Sequence, residues 1–304
     1  MRTTNAQVTA IMSNSMNKSS VQLAKLMAQM ASNKRIQLPS DDPIASVRLL
    51  RIQREEASLN QYTTNIANVS GNLSIQEANL VSTSDTMLNV RDLLLWAANG
   101  SNTSEDLGAI ANELKSLEKT ILSFANVRDE EGRYLFAGTL SDQPAVEFDT
   151  ATETYSVIGN NKHREAAVAN GVLVTENVTA AEIFGPGMDM LNDLHGLITM
   201  LEDPALDVTD PAVRAQIDSS IAQLDLTHSK LLGAVTDLGG RQNTLELLGE
   251  SNSQVNLANK KIEGELSTLD YAKASIDLNN YQLSLQATQK TYIKINGLSL
   301  FSLL

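Results

Sequence analysis

The side chains able to do chemistry are few and widely separated. Histidines stand at 163, 195 and 228, none in a His-x-x-x-His pair that would set two imidazoles on one helical face for a metal. They read as solvated or incidental. Asp41-Asp42 offers two carboxylates for acid–base work, but its place between Pro39 and Pro43 makes helix capping the stronger reading. The chain has no cysteine, which excludes disulfides, thiolate nucleophiles and zinc–thiolate sites. It also lacks a glycine-rich phosphate cradle and a Ser-centred elbow. Asn68-Val69-Ser70 matches a glycosylation triplet, yet it falls on a predicted helix in a chain rich in Asn and Ser, where chance accounts for it. Trp96, near a predicted helix end, reads as core or interface, and Met12, Met16, Met27 and Met30 as adaptable packing. No residue is assigned to catalysis, to a cofactor or to a metal, and an enzyme is not expected.

The strongest pattern is one of packing. Apolar residues recur at steps of three and four along two long proline-free stretches, 44–143 and 212–304. In the first, Ile52, Leu59, Tyr62, Ile66, Val69, Leu73, Leu80, Met87, Val90, Leu94 and Ala97 keep one heptad phase, broken by Glu55, Gln76 and Thr83. In the second, Ile217, Leu224, Leu231, Leu238, Leu245, Leu248, Val255, Ile262, Leu266 and Leu269 do the same, with Asn252 and Asn259 on the seam. Buried Asn at such positions favours one register at some cost in stability.

Residues 1 to 32 predict a weak amphipathic helix through Val8, Met12, Met16, Leu23, Leu26 and Met30, marginal on its own. Pro39 is expected to end it, with Ser40, Asp41 and Asp42 as candidate caps and Pro43 at the first position of the next helix. That helix is expected over 44–98, about 80 Å long at 1.5 Å per residue. Asn99-Gly100 breaks it, and a capped start at Ser104 opens an antiparallel return. Short β-prone runs follow at 134–137, 145–148, 154–158 and 171–175. Gly185-Pro186-Gly187 closes this small insert, a short helix covers 188–201, and Pro204 and Pro211 bracket a linker. The pair Gly239-Gly240 weakens the return arm and marks a place for a kink. The fold expected is mainly α with a small antiparallel β insert, its long helices antiparallel and its terminal helices paired as a coiled coil. Its segments are 1–42, 43–131, 132–187, 188–265 and 266–304.

The last segment is apolar on two sides: Leu269, Ala272, Ile276 and Leu283 on one line, and Leu278, Tyr281, Leu285, Tyr292 and Ile295 on another. A single partner helix covers one side only, so neighbouring copies are expected on the other. The chain then ends on Leu298, Leu300, Phe301, Leu303 and Leu304, a sticky tail for a monomer. The assembly interface expected is therefore Val8, Met12, Met16, Leu23, Leu26 and Met30 with Leu269, Ile276, Leu278, Leu283, Leu285, Tyr292, Ile295, Leu298 and Phe301.

Charge limits the partners. The net charge is −13 over 304 residues, and no stretch clusters Lys and Arg, which argues against nucleic acid. Residues 1–35 carry Arg2, Lys18, Lys25, Lys34 and Arg35 without an acid, and 271–304 carry Lys273, Lys290 and Lys294 against Asp277, so the acidity lies between. No run of about 18 apolar residues suggests a membrane span. Nor does the N-terminus show a basic region followed by an apolar block, so export would use a route without a cleaved signal.

Three stretches stand out: Met30-Ala-Ser-Asn-Lys-Arg-Ile-Gln-Leu-Pro-Ser-Asp-Asp-Pro43, Gly132-Arg-Tyr-Leu-Phe-Ala-Gly-Thr139 and Leu298-Ser-Leu-Phe-Ser-Leu-Leu304. Together they resemble the flagellin superfamily, and within it the hook–filament junction proteins. Asn33 stands where the family usually has Gly, and Asn is the next-best residue for a left-handed turn. The resemblance implies a structural flagellar component exported unfolded through the flagellar type III apparatus. It would form, outside the cell, a ring joining hook to filament on which flagellin assembles. Implied partners are other copies of the chain, the other junction protein, flagellin, and a cytoplasmic export chaperone at the C-terminal segment, with no nucleic acid and no membrane. The alternatives are flagellin itself and, further off, a coiled-coil secretion-tip or adhesion protein. The terminal segments are expected to order on assembly rather than before it.

Overall fold

The computed structural model describes residues 5–129, 131–203, 206 and 210–301, with side chains placed from 7 to 295. Pro204 and the side chains of Leu298, Leu300 and Phe301 lie outside the described residues, as do Leu303 and Leu304. The order is α1 (Asn5–Ser32), α2 (Pro43–Ala97), α3 (Ser104–Ala125), β1 (Val146–Asp149), β2 (Thr154–Val157), β3 (Glu165–Ala169), β4 (Val172–Thr175), α4 (Ala180–Phe184), α5 (Asp189–Leu201), α6 (Pro211–Ser267) and α7 (Tyr271–Phe301). Contacts divide the chain into two compact units, one of residues 59–253 and one of 1–58 with 254–304.

In the 59–253 unit the heptad seam of α2 becomes core, with Leu73, Met87, Val90 and Leu94 fully buried. Each such side chain contributes about 1.5–3 kcal/mol of transfer free energy. Leu231 and Leu238 of α6, Leu114 and Ile121 of α3, and Leu191 and Leu194 of α5 close the same core. Pairings between α2 and α6 run in opposite senses: Glu77 accepts from Gln242 at 2.9 Å, Ser84 meets His228 at 2.8 Å and Arg91 pairs with Asp225 at 2.8 Å. Helix α3 opposes α5 likewise, through Lys115–Glu202 at 2.7 Å and Glu118–His195 at 3.0 Å.

Several expectations are corrected here. The cap of α3 is Thr103 rather than Ser104, its hydroxyl accepting from Asp106 N while the Asp106 carboxylate accepts from Thr103 N. Residues 134–137 form no strand: they run through bends, bridged at Arg128↔Tyr134, with Tyr134 N donating to Ser141 O at 2.8 Å and Leu135 N to Val127 O at 3.1 Å. Strand β3 went unforeseen, because Glu-Ala-Ala-Val-Ala carries almost no alternation, and Gly171 is the turn before β4 rather than part of it. The β insert is two hairpins, β1 with β2 and β3 with β4. Helix α6 passes through Gly239-Gly240 unbroken, with Arg241 beyond it donating to the Thr175 and Asn177 carbonyls at 3.3 and 3.2 Å.

Gln76 and Asn252, two polar interruptions of the seams, fasten this insert. Gln76 is fully buried; its Nε2 donates to the Glu176 carbonyl at 2.8 Å and its Oε1 accepts from Val178 N at 2.9 Å. A bulge between Ala167 and Ala169 interrupts the ladder, and the carbonyls there are taken by Asn65 on Ala167 at 2.7 Å and Asn252 on Val168 at 3.1 Å. Asn259, the other seam Asn, is buried at 7% exposure with its Nδ2 unpartnered among the described residues. Asn259→Leu is accordingly expected to stabilise the protein by about 1 kcal/mol, since an unmatched amide leaves the core. A urea midpoint that falls, at unchanged slope, would contradict this.

Candidate assembly surface

Helix α1 stops at Ser32 because Asn33 takes a left-handed φ of 55°, well before Pro39, which sits inside the following turn instead. The turn is tied to the far end of the chain. Arg35 N donates to Ser267 O at 2.7 Å, Leu269 N to Asn33 O at 3.4 Å, and the Tyr271 hydroxyl to the Met30 carbonyl. The two acids between the prolines do different work. Asp42 caps α2, its Oδ1 accepting from Ala45 N at 3.0 Å with Pro43 at the first helical position. Asp41 holds the turn, accepting from Gln37 N at 3.1 Å and Leu38 N at 3.0 Å and pairing with Lys25 of α1 at 2.7 Å.

The hydrogen bond from Lys25, with those from Leu38 and Gln37, lowers the Asp41 pKa from 3.8 to about 2. A carboxylate depressed on folding supports the fold above its unfolded pKa and ceases to do so as pH falls through its folded one. The Asp41 contribution is thus expected to vanish between about pH 4 and pH 2, with earlier amide exchange at Gln37 and Leu38. An Asp41→Asn variant whose exchange at these amides matches the parent at pH 6 would refute it.

Helices α1 and α7 pack against each other antiparallel, α1 ending where α7 begins. On α1, Leu26 is buried and Val8, Met12, Met16, Leu23 and Met30 are half-buried. On α7, Ala274 is buried and Leu278, Tyr281, Leu285, Tyr292 and Ile295 are half-buried, as is Leu269 just before it. Along the other line Ile276 is 62% and Leu283 64% exposed. Ile293, Ile11 and Val21, not singled out from sequence, are exposed to a similar degree, because Ser, Asn and Gln between them mask any periodicity. Trp96, expected in a core or interface, stands exposed in this chain.

The histidines are not simply solvated. His163 meets Glu182 at 3.0 Å, His228 meets Ser84, and His195 meets Glu118, whose carboxyl burial pushes up in pKa. Each links a pair of elements within the fold; among the described residues no three metal-ligating side chains gather.

Residues 4–141 match the family model of the bacterial flagellin N-terminal helical region. A solved chain described as a flagellar hook-associated protein from Vibrio parahaemolyticus is 40% identical, with a TM-score of 0.69, covering 75% of this chain and 100% of that one. The chain belongs to the flagellar hook-associated proteins of the flagellin superfamily. Another member of that group, flagellar hook-associated protein 3 of Salmonella typhimurium, is 26% identical over 295 residues, 92% of each chain. The flagellar junction protein FlgL of Legionella pneumophila shares the fold at 16% identity and a TM-score of 0.60, covering 73% of this chain and 100% of its own.

Proposed function

We propose that this hook-associated protein is a structural subunit of the bacterial flagellum, joining hook to filament as a ring of copies on which flagellin assembles. The observation that carries the reading is similarity along nearly the whole chain to hook-associated protein 3, at 92% coverage on both sides. Exposed Ile11, Val21, Ile276, Leu283 and Ile293 on α1 and α7 support it, because apolar side chains left uncovered in one copy favour association. The interface proposed is the sequence-derived set on the two terminal helices, including Leu298 and Phe301. The partners proposed are other copies, the second junction protein, flagellin, and an export chaperone on the C-terminal segment. Export would proceed without a cleaved signal, and the role has no catalytic step. Electron microscopy of a deletion strain, with flagellin measured in the medium, tests the reading. Hooks without filaments and shed flagellin are expected; altered filaments on normal hooks would favour flagellin, and unaffected flagella would refute both.

The reading includes ordering on assembly. Fixing each terminal residue costs about 1–2 kcal/mol, more than isolated weak helices recover. A fragment of residues 40–266 is therefore expected to keep a cooperative thermal melt by circular dichroism, and a featureless melt would reject the idea.

A further inference from the structure

We propose that neighbouring copies of this chain dock through two different faces of α2, a basic apolar stripe near its start and an acidic apolar stripe near its end. The inference rests on the reading that copies assemble with one another.

The first stripe is Ile44, Val47, Arg51, Arg54 and Ser58, at steps of three and four, flanked by Arg48 and Leu50, all of them exposed. Ile44 is 78% and Val47 59% exposed, a large apolar area for a helix whose opposite side, at Ala45 and Ile52, is buried. None of the three guanidinium groups enters an ion pair among the described residues, although Glu55 lies one turn beyond Arg51. The second stripe is Val81, Asp85, Leu88, Asp92 and Leu95, again at steps of four and three and all exposed, with Trp96 beside it. Asp85 and Asp92 are likewise outside every described ion pair.

The stripes match in length, about 21 Å each at 1.5 Å per residue. They match in character, each setting apolar side chains beside charges of one sign. Their signs are opposite, which selects this pairing over basic on basic or acidic on acidic. Two unlike faces on one chain make a head-to-tail contact, the kind that repeats from copy to copy and closes into a ring or winds into a helix.

The test uses the full chain expressed in a strain deleted for its gene, with filaments per cell counted by microscopy. Arg51→Glu with Arg54→Glu, and separately Asp85→Arg with Asp92→Arg, are each expected to lower the count by about tenfold, and the four together to restore it to within about twofold. Purified variants should melt as the parent does, since all four side chains are exposed. A quadruple variant no better than either pair, or pairs without effect, overturns the proposal. A second readout does not depend on charge. Because the chain is free of cysteine, Val47→Cys with Leu88→Cys should give a ladder of disulfide-linked oligomers in oxidised flagella, and each alone at most a dimer. Absence of the ladder also counts against it. If the parent chain itself fails to restore filaments, the junction reading fails instead.

Discussion

Gly138→Ala is expected to cost about 3–5 kcal/mol, among the largest effects of any single methyl added to this chain. Two causes add. Gly138 has a φ of 70°, where an L side chain costs about 1 kcal/mol or more. Its new Cβ would also lie 2.2 Å from the Asn160 carbonyl oxygen and 2.3 Å from its Oδ1. Neither can retreat freely. Asn160 N donates to Ala137 O at 3.2 Å, its Oδ1 accepts from Thr139 N at 3.0 Å and Lys162 N at 3.1 Å, and the Gly138 carbonyl accepts from Arg164 at 2.9 Å. Relief of the clash must break that clasp. Urea unfolding of the purified variant measures the loss; less than about 1 kcal/mol would show that the clasp yields.

Gln76→Leu is expected to cost about 3 kcal/mol, even though the volume is nearly kept and an apolar residue would complete the heptad seam. The substitution strands Val178 N and the Glu176 carbonyl in a region where Val178 is 3% exposed, and each unmatched backbone group costs about 1–3 kcal/mol. Gln76→Glu should be milder at the acceptor and worse at the donor, because a carboxylate receives Val178 N and repels the Glu176 carbonyl. Hydrogen exchange at Val178 separates the outcomes. Unchanged protection there in Gln76→Leu would mean the insert is held by other contacts.

These positions also show what the sequence made legible. Heptad phase identified the buried line of α2 almost residue by residue, since period and burial are the same fact for a long helix. The phase likewise exposed Gln76 and Thr83 as exceptions, but periodicity cannot say that Gln76 answers the backbone just beyond β4, a hundred residues on. The Gly132–Thr139 motif was visible as a motif, whereas the Asn160 oxygen that forbids a Cβ at Gly138 is a tertiary fact. The β insert was harder: Tyr134-Leu-Phe-Ala has strand composition but runs through bends, and Ala-rich β3 has strand geometry without strand composition. At the termini, two apolar lines on α7 were readable, and which line faces α1 was not, because either choice satisfies the spacing.

The joining of α1 to α7 has a kinetic consequence. The bond from Tyr271 to Met30 closes a loop of 241 residues, and Lys34 bridges Thr268 across a similar span, while every residue of the 59–253 unit precedes the last helix in the chain. Closing so long a loop costs entropy that grows only as the logarithm of its length, so the obstacle is order of arrival rather than energy. A chain emerging N-terminus first therefore completes one unit with α1 still waiting for its counterpart. The terminal pair is the last structure to close, and a truncation after residue 253 abolishes it as a whole.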